Sequence, residues 1–253
     1  MDHPSAMPRR IDDLQPLDPA ILAQPALVVA RALLGQRLVS TVQDEPVVVR
    51  IVETEAYTED ERGCHCFAGK RTPRTAPMFL PGGHAYVYFV YGMHWQFNVV
   101  TGRAGRGEAV LVRGALVEHG HDAVARRRGW HPGQRPAPRN PARWLDGPAK
   151  LCQGLGITGA QSGQLLTPEQ PVWLAQGPAV PDAAVQTGPR VGIDYAGEDA
   201  ALPWRFWWAA GRSAIAARSV AVRSETTTFT ALRAARYQAA GLAWSGALPA
   251  PSA

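Results

Sequence analysis

The chain has 253 residues, 46% hydrophobic and 19% charged, which is enough to bury one core and too apolar for an intrinsically disordered chain. Twenty-six Lys and Arg against 21 acids give a net charge of +5 and a pI near 9.4, a balance that suits a polyanionic partner such as nucleic acid and equally an ordinary basic protein. Three cysteines cannot all pair, no apolar secretory segment opens the sequence, and the longest apolar stretch, residues 85–100, falls short of the roughly 20 residues that span a bilayer; a reducing cytoplasm and no membrane insertion are expected.

Residues 1–16 mix charges and prolines without periodicity, so residues 1–17 are expected to be a disordered or loosely attached tail. The run PALVVARALL (25–34) has apolar residues at helical spacing and stops at Gly35, a suitable residue after a helix end. Two extended segments follow, 37–42 and 47–55, joined as a hairpin by Gln43-Asp44-Glu45-Pro46. A polar loop over 58–83 leads to AYVYFVY (85–91), which is matched in character by AVLVRGALV (109–117); both have the composition of central strands. Residues 125–143 carry six arginines amid Gly and Pro and are expected to form a mobile basic loop, either contacting phosphate or simply solvated. Gly147-Pro148 opens a short helix, strands are expected at 172–175, 190–195 and 205–208, and a last helix spans about 228–240. Strands outnumber helices without βαβ alternation. The expected fold is therefore α+β, a single domain around a curved, mostly antiparallel β-sheet flanked by short helices. That domain covers 18–218, and 219–253 form a C-terminal helical extension with a frayed end.

Chemistry concentrates in a few strings. In VETEAY, period-2 geometry puts Glu53, Glu55 and Tyr57 on one strand face. Two acids there describe a solvated strand edge as readily as a catalytic pair. In AYVYFVY, alternation sends Tyr86, Tyr88 and Val90 to one face. Tyr91 falls on the other and, with Gly92, ends the strand in a turn from which an aromatic can project. A plain core strand is the competing account. Cys64-His65-Cys66 offers zinc-ligand chemistry, but adjacent residues converge poorly on one ion and Cys152 stands alone, so no metal site is expected. His65 is equally explained by a hydrogen bond within its loop. No GxSxG, GxxxxGK[ST] or strand-linked GxGxxG is present, which speaks against the common hydrolase, NTPase and dinucleotide-binding classes. GRAGRG (102–107) reads as a connection between strands.

Taken in order, IVETEAY, HCFAGKRTPRTAPMF, PGGHAYVYFVYGMHWQFNVV, GEAVLVRGAL, GPAKLCQGLGI and PRVGIDYAGEDAALPWRF resemble the 3-methyladenine (alkyladenine) DNA glycosylases over residues 24–212. The resemblance implies a monomeric, monofunctional enzyme without metal or cofactor. Its partner would be double-stranded DNA containing damaged purines, in the cytoplasm and associated with the nucleoid through that DNA. The reaction implied is flipping of 3-methyladenine, extending to 7-methylguanine and hypoxanthine, followed by hydrolysis of the N-glycosidic bond. By the same resemblance Glu55 falls on the general base, and Arg113 on the arginine that helps hold the attacking water. Tyr57, His65, Tyr88 and Asn98 fall on the base pocket, Asn98 as the amide that clashes with the amine of an unmodified guanine. Tyr91 falls on the residue that intercalates into DNA. Lysine is scarce and neither Lys70 nor Lys150 matches a nucleophile, so water alone is the expected nucleophile.

Two departures from the family pattern stand out. Thr75 follows Thr72-Pro73-Arg74 where the family commonly has Asn, which predicts the loss of a loop-ordering side chain. Gly211-Arg212-Ser213-Ala214-Ile215-Ala216 replaces a Gly-Asn/Ser-Pro-x-Val-Ser pattern where a backbone carbonyl is expected to position the water. The alternative functions are a non-catalytic minor-groove DNA-binding module that uses Tyr91 as a wedge and a nucleic-acid-binding appendage of another enzyme. Neither needs the set of Glu55, Tyr57, Asn98 and Arg113.

Overall fold

β-Branched residues dominate residues 47–58, and side chains of that shape pack best on a pleated surface. The computed structural model, which describes residues 11–131, 133 and 135–210, makes this segment one of the two longest strands of the sheet. In chain order the main elements are α1 (Pro19–Leu22), α2 (Ala26–Ala32), β1 (Arg37–Ser40), β2 (Val47–Thr58), β3 (Ala85–Val90), β4 (His94–Val100), β5 (Glu108–His119), α3 (His121–Arg127), α4 (Pro148–Leu155), β6 (Val172–Ala175), β7 (Val185–Gly188) and β8 (Arg205–Trp208). The eight strands form one sheet, all antiparallel and not closed, in the order β3-β4-β5-β2-β1-β6. β8 lies against the second half of β2 and carries β7 on its outer side. No helix among the described residues is long and apolar enough to cross a membrane.

The two faces of the sheet have different fates. Val87, Phe97, Val99, Val110, Val112 and Ala56 point to a core closed by α2 and α4, where Val29, Ala30, Leu33, Leu151 and Leu155 are buried. On the opposite face Tyr86, Val100 and Ala109 pack with Cys64, Cys66, Met78 and Phe79 from the loop after β2. Register fixes what shares that face. Tyr86 pairs with Asn98, Asn98 with Leu111, Leu111 with Glu55 and Glu55 with Arg205, a single row across five strands. One further irregularity matters: the β2/β5 register skips Val52 on one strand and Arg113 on the other. Such a bulge re-aims the side chain of the extra residue, and Arg113 turns to Glu53 and Glu55.

The helix in 25–34, the hairpin of 37–42 with 47–55, the helix after Gly147 and the strands at 172–175 and 205–208 form where the sequence placed them, the second hairpin strand running on to Thr58. Other segments differ. The strand expected to be central at 85–91 is the edge strand β3, because only β4 pairs with it. Its other side is covered by the 162–164 turn, through Ala85 N–H to the Gln164 carbonyl and Val87 N–H to Ser162 Oγ. Residues 190–195 are loop and 3₁₀ helix in place of a strand; Gly192 has a φ of +76°, outside regular extended backbone. β4 and β7 had no counterpart in the sequence reading. The basic segment 125–143 begins inside α3, and its first residues are tied down. Arg126 pairs with Glu45, Arg127 donates to the Val42 and Glu45 carbonyls, Arg128 donates to Gln153, and Trp130 packs on Trp144. In the supposed loose tail, Leu14 and Leu17 are buried and Leu17 N–H bonds the Leu174 carbonyl. The helix near 228–240, segment 211–216 and extension 219–253 lie outside the described residues.

Thr75 corrects another expectation. It is buried, its Oγ1 accepts the Thr72 N–H at 2.9 Å, and the Thr72 hydroxyl accepts the Thr75 N–H at 3.2 Å. The Thr-Pro-Arg-Thr loop is therefore ordered by the very residue that departs from the family pattern. Thr75→Ala should lower unfolding free energy by about 1–2 kcal/mol in urea titrations, and Thr75→Asn, which keeps an acceptor, should lose less.

Candidate active site

The row containing Glu55 ends in an open cavity of about 210 Å3 lined by Tyr57, His65, Tyr86, Tyr88, Tyr91, Asn98 and Arg113 together with Arg74, Gln96, Val191 and Tyr195. It is smaller than the roughly 300–1,000 Å3 of sites for drug-sized ligands and suits one flat ring system. The structure thus brings every predicted site residue to one place. Glu55 is the exception only in depth, since it lies fully buried behind the lining.

Three lining residues hold its carboxylate. The Tyr57 hydroxyl donates to Oε2 at 2.8 Å, the Val191 N–H donates to Oε1 at 2.8 Å, and Arg113 Nε stands 3.3 Å from Oε1. Arg113 also reaches Glu53 Oε1 at 3.2 Å. Burial raises the Glu55 pKa above the ordinary carboxylate value, opposed by the Arg113 charge and the two hydrogen bonds. Burial, and then the Glu55 charge, push the Tyr57 phenol upward too, so it stays a protonated donor. Desolvation works against the Arg113 charge, but Glu55 and Glu53 outweigh it and hold the guanidinium protonated.

The cavity walls are aromatic. His65 Nδ1 is 2.9 Å from the Tyr86 hydroxyl, its ring meets Tyr88 edge-on at 4.6 Å, and Tyr86 and Tyr88 lie 5.3 Å apart. Burial and nearby Arg74 lower the His65 pKa to about 4, so its imidazole is neutral at physiological pH. Asn98 is buried and anchored by Nδ2 to the Tyr86 carbonyl at 3.0 Å. Arg74 lies over the Tyr88 ring at 5.0 Å on the rim. Among the described residues, no group of three or more His, Cys, Asp or Glu is arranged to hold a metal ion.

Tyr91 is set apart from the rest. It sits in the β3–β4 turn with φ +55°, next to Gly92 at +67°, closed by Met93 N–H to the Val90 carbonyl. Consecutive positive φ values belong to tight primed turns, where Asn and Gly are the usual residues. A tyrosine there is strained by roughly 1–2 kcal/mol, and its side chain is 79% exposed.

Sequence reasoning missed the support behind Glu55. Arg190 grips Glu61 with both terminal nitrogens at 2.6 and 2.7 Å, bonds the Ala56 and Asp199 carbonyls, and lies over the Tyr57 ring at 4.7 Å. Both side chains are buried. Their pairing fixes the loop whose next residue, Val191, delivers its N–H to Glu55. The backbone group touching the carboxylate therefore comes from here, while the segment expected to position water, 211–216, lies outside the described residues. The one available signal was Arg190 inside PRVGIDY, set beside an apolar alternation that read as a strand.

A model of the methylpurine-DNA glycosylase family matches residues 20–212. A protein of Myxococcus xanthus is 48% identical over 193 residues, 76% of this chain and 89% of that protein. Relatives in Frankia casuarinae and Carboxydothermus hydrogenoformans are 43% and 42% identical, over 74% and 73% of this chain and 85% and 91% of their own lengths. All three carry the name "Putative 3-methyladenine DNA glycosylase".

Arg190→Met leaves the Glu61 charge buried without its partner and should cost about 3–5 kcal/mol in denaturant unfolding. Adding Glu61→Met should recover most of that loss; a double variant no more stable than Arg190→Met would show that the pair is not the anchor.

Proposed function

The chain belongs to the methylpurine-DNA glycosylase family, and on that premise we propose that it hydrolyses the N-glycosidic bond of damaged purines in duplex DNA, 3-methyladenine, 7-methylguanine and hypoxanthine among them. In this reading the damaged nucleotide leaves the stack, its base enters the cavity between Tyr57 and the His65–Tyr88 wall, and Tyr91 fills the gap in the duplex. Water attacks C1′ as the bond from C1′ to the purine breaks. The base departs with the bonding electrons, Glu55 takes a proton from the water, and an abasic site remains. Methylation at N3 or N7 makes the base cationic, so the leaving group is already activated and its ring stacks well on tyrosine. A neutral His65 does not repel such a cation.

The observation that carries the reading is a fully buried carboxylate held by Tyr57, Val191 and Arg113 directly behind an aromatic cavity. A protein that only bends DNA has no use for a charge placed there at the cost of desolvation. Neither Lys70 nor Lys150 lines the cavity, and Lys150 pairs with Asp146 at 2.6 Å. The proposed chemistry is therefore hydrolysis without a Schiff-base lyase step.

Glu55→Gln tests the role of the carboxylate. Single-turnover release of 3-methyladenine from a methylated duplex should fall about 10²–10⁴-fold while binding of that duplex persists; undiminished release would reject Glu55 as the base. The same variant carries a stability signature. A carboxyl whose folded pKa is raised favours the protonated fold, so its contribution is intact below the unfolded value and is lost as pH rises through the folded one. Glu55→Gln should thus melt at or above the wild-type temperature near neutral pH, the difference shrinking toward pH 4. Tyr91→Asn should likewise keep or raise Tm, because Asn tolerates the left-handed turn, while release from duplex DNA drops. A variant with lower Tm and unchanged release would contradict the wedge role.

A further inference from the structure

Gln96 faces the cavity from β4, two residues before Asn98 and directly across from Tyr88 on β3. Its Oε1 accepts the Tyr88 hydroxyl at 2.6 Å. The phenol's one proton is then used on that oxygen, and the two N–H donors of the amide are left for other partners. No acceptor for Gln96 Nε2 is present among the described residues, and that nitrogen belongs to a residue lining the cavity. Asn98 is fixed differently, its amide nitrogen turned to the Tyr86 backbone. In this arrangement the wall of the cavity formed by β4 presents a hydrogen-bond donor at Gln96, whose amide oxygen is held by Tyr88.

We propose that Gln96 reads position 6 of the flipped purine and favours 6-oxopurines, such as hypoxanthine and 7-methylguanine, over 6-aminopurines such as 3-methyladenine. The assignment rests on the glycosylase reading above and adds to it a determinant of substrate class. A carbonyl oxygen at position 6 accepts the amide N–H. A 6-amino group meets that donor with donors of its own and leaves both unpaired at the cavity wall, which is the costly situation for a desolvated polar group. Tyr88 then has a second task besides stacking: as a donor, its hydroxyl holds the amide oxygen and leaves the amide nitrogen to the base.

The probes are a duplex with one inosine and a duplex methylated to carry 3-methyladenine, with base release followed in single turnover by the full chain. Gln96→Leu should slow hypoxanthine release roughly tenfold and, by removing the unpaired donor, speed 3-methyladenine release severalfold. Gln96→Glu, nearly isosteric and without the donor, should shift the ratio further toward the 6-aminopurine. Tyr88→Phe keeps the ring but frees Gln96 Oε1, and should narrow the preference even as overall rates fall. Equal changes on both duplexes in Gln96→Leu, or a loss confined to 3-methyladenine, overturn the role of Gln96 and leave the glycosylase reading standing. Release of neither base by the wild-type protein sinks that reading and this one with it.

Discussion

A carboxylate with no exposure to solvent is the constraint around which this half of the molecule is arranged. Taking an ion of that size out of water carries a penalty of several kcal/mol even after relaxation, and Glu55 meets it with donors from three different segments: Tyr57 on its own strand, Arg113 across the sheet and Val191 from a distant loop. Each donor has its own structural precondition. Tyr57 follows from strand alternation, Arg113 from a bulge, and Val191 from a loop held by a second buried ion pair, Arg190 with Glu61. The pKa of Glu55 is nevertheless raised, so the donors do not fully offset burial. A charge kept in that position has a stronger affinity for protons than a surface glutamate, which is the property a general base near neutral pH requires.

The opposite face of the same strands shows what the sheet does where no chemistry is present. There Val87, Phe97, Val99, Val110 and Val112 pack against α2 and α4, and the buried hydroxyls of Thr54 and Ser40 are satisfied by the Ala30 and Leu155 carbonyls of those helices. One apolar face supplies the stability, and the other can then hold a bulged arginine, two buried glutamates and a strained tyrosine without loss of the fold. Strain of the kind found at Tyr91 persists where surrounding structure over-determines it and tends to mark functional positions. Its neighbours in the hairpin are paired residue by residue from Ala85↔Val99 to Val90↔His94, which leaves the turn no freedom to relax.

Much of this was legible in the sequence because two periodicities were enough for it. Alternation alone put Glu53, Glu55 and Tyr57 on one face and Tyr86 with Tyr88 on another strand's face, and composition found six of the eight strands' cores. What failed did so for identifiable reasons. An aromatic-rich segment looks central, yet β3 lies at the edge because a turn at 162–164 covers it in place of a strand. Residues 190–195 alternate like a strand, but a glycine at positive φ and a buried arginine make them a loop. The six-arginine segment looked mobile because ion pairs with Glu45 and the contact of Trp130 with Trp144 are long-range and leave no local trace. Arg113 could be assigned a role only through family resemblance, since a bulge has no periodic signature.

The strand that composition did not reveal, β4, is the most instructive of these. HWQFNVV fails as a strand pattern because polar Gln96 and Asn98 occupy positions where an inward face should be apolar, and Phe97 alone looks like core. The structure makes those two amides part of the cavity wall and sends Phe97 to the helices behind. Tyr91, Arg113 and the Val191 loop share the same character, each breaking a local rule and each bordering the one cavity. Agreement between local pattern and fold is the norm for a foldable sequence, and concentrated disagreement marks the places where something other than stability is being selected. In this chain several of these disagreements border the cavity in front of Glu55.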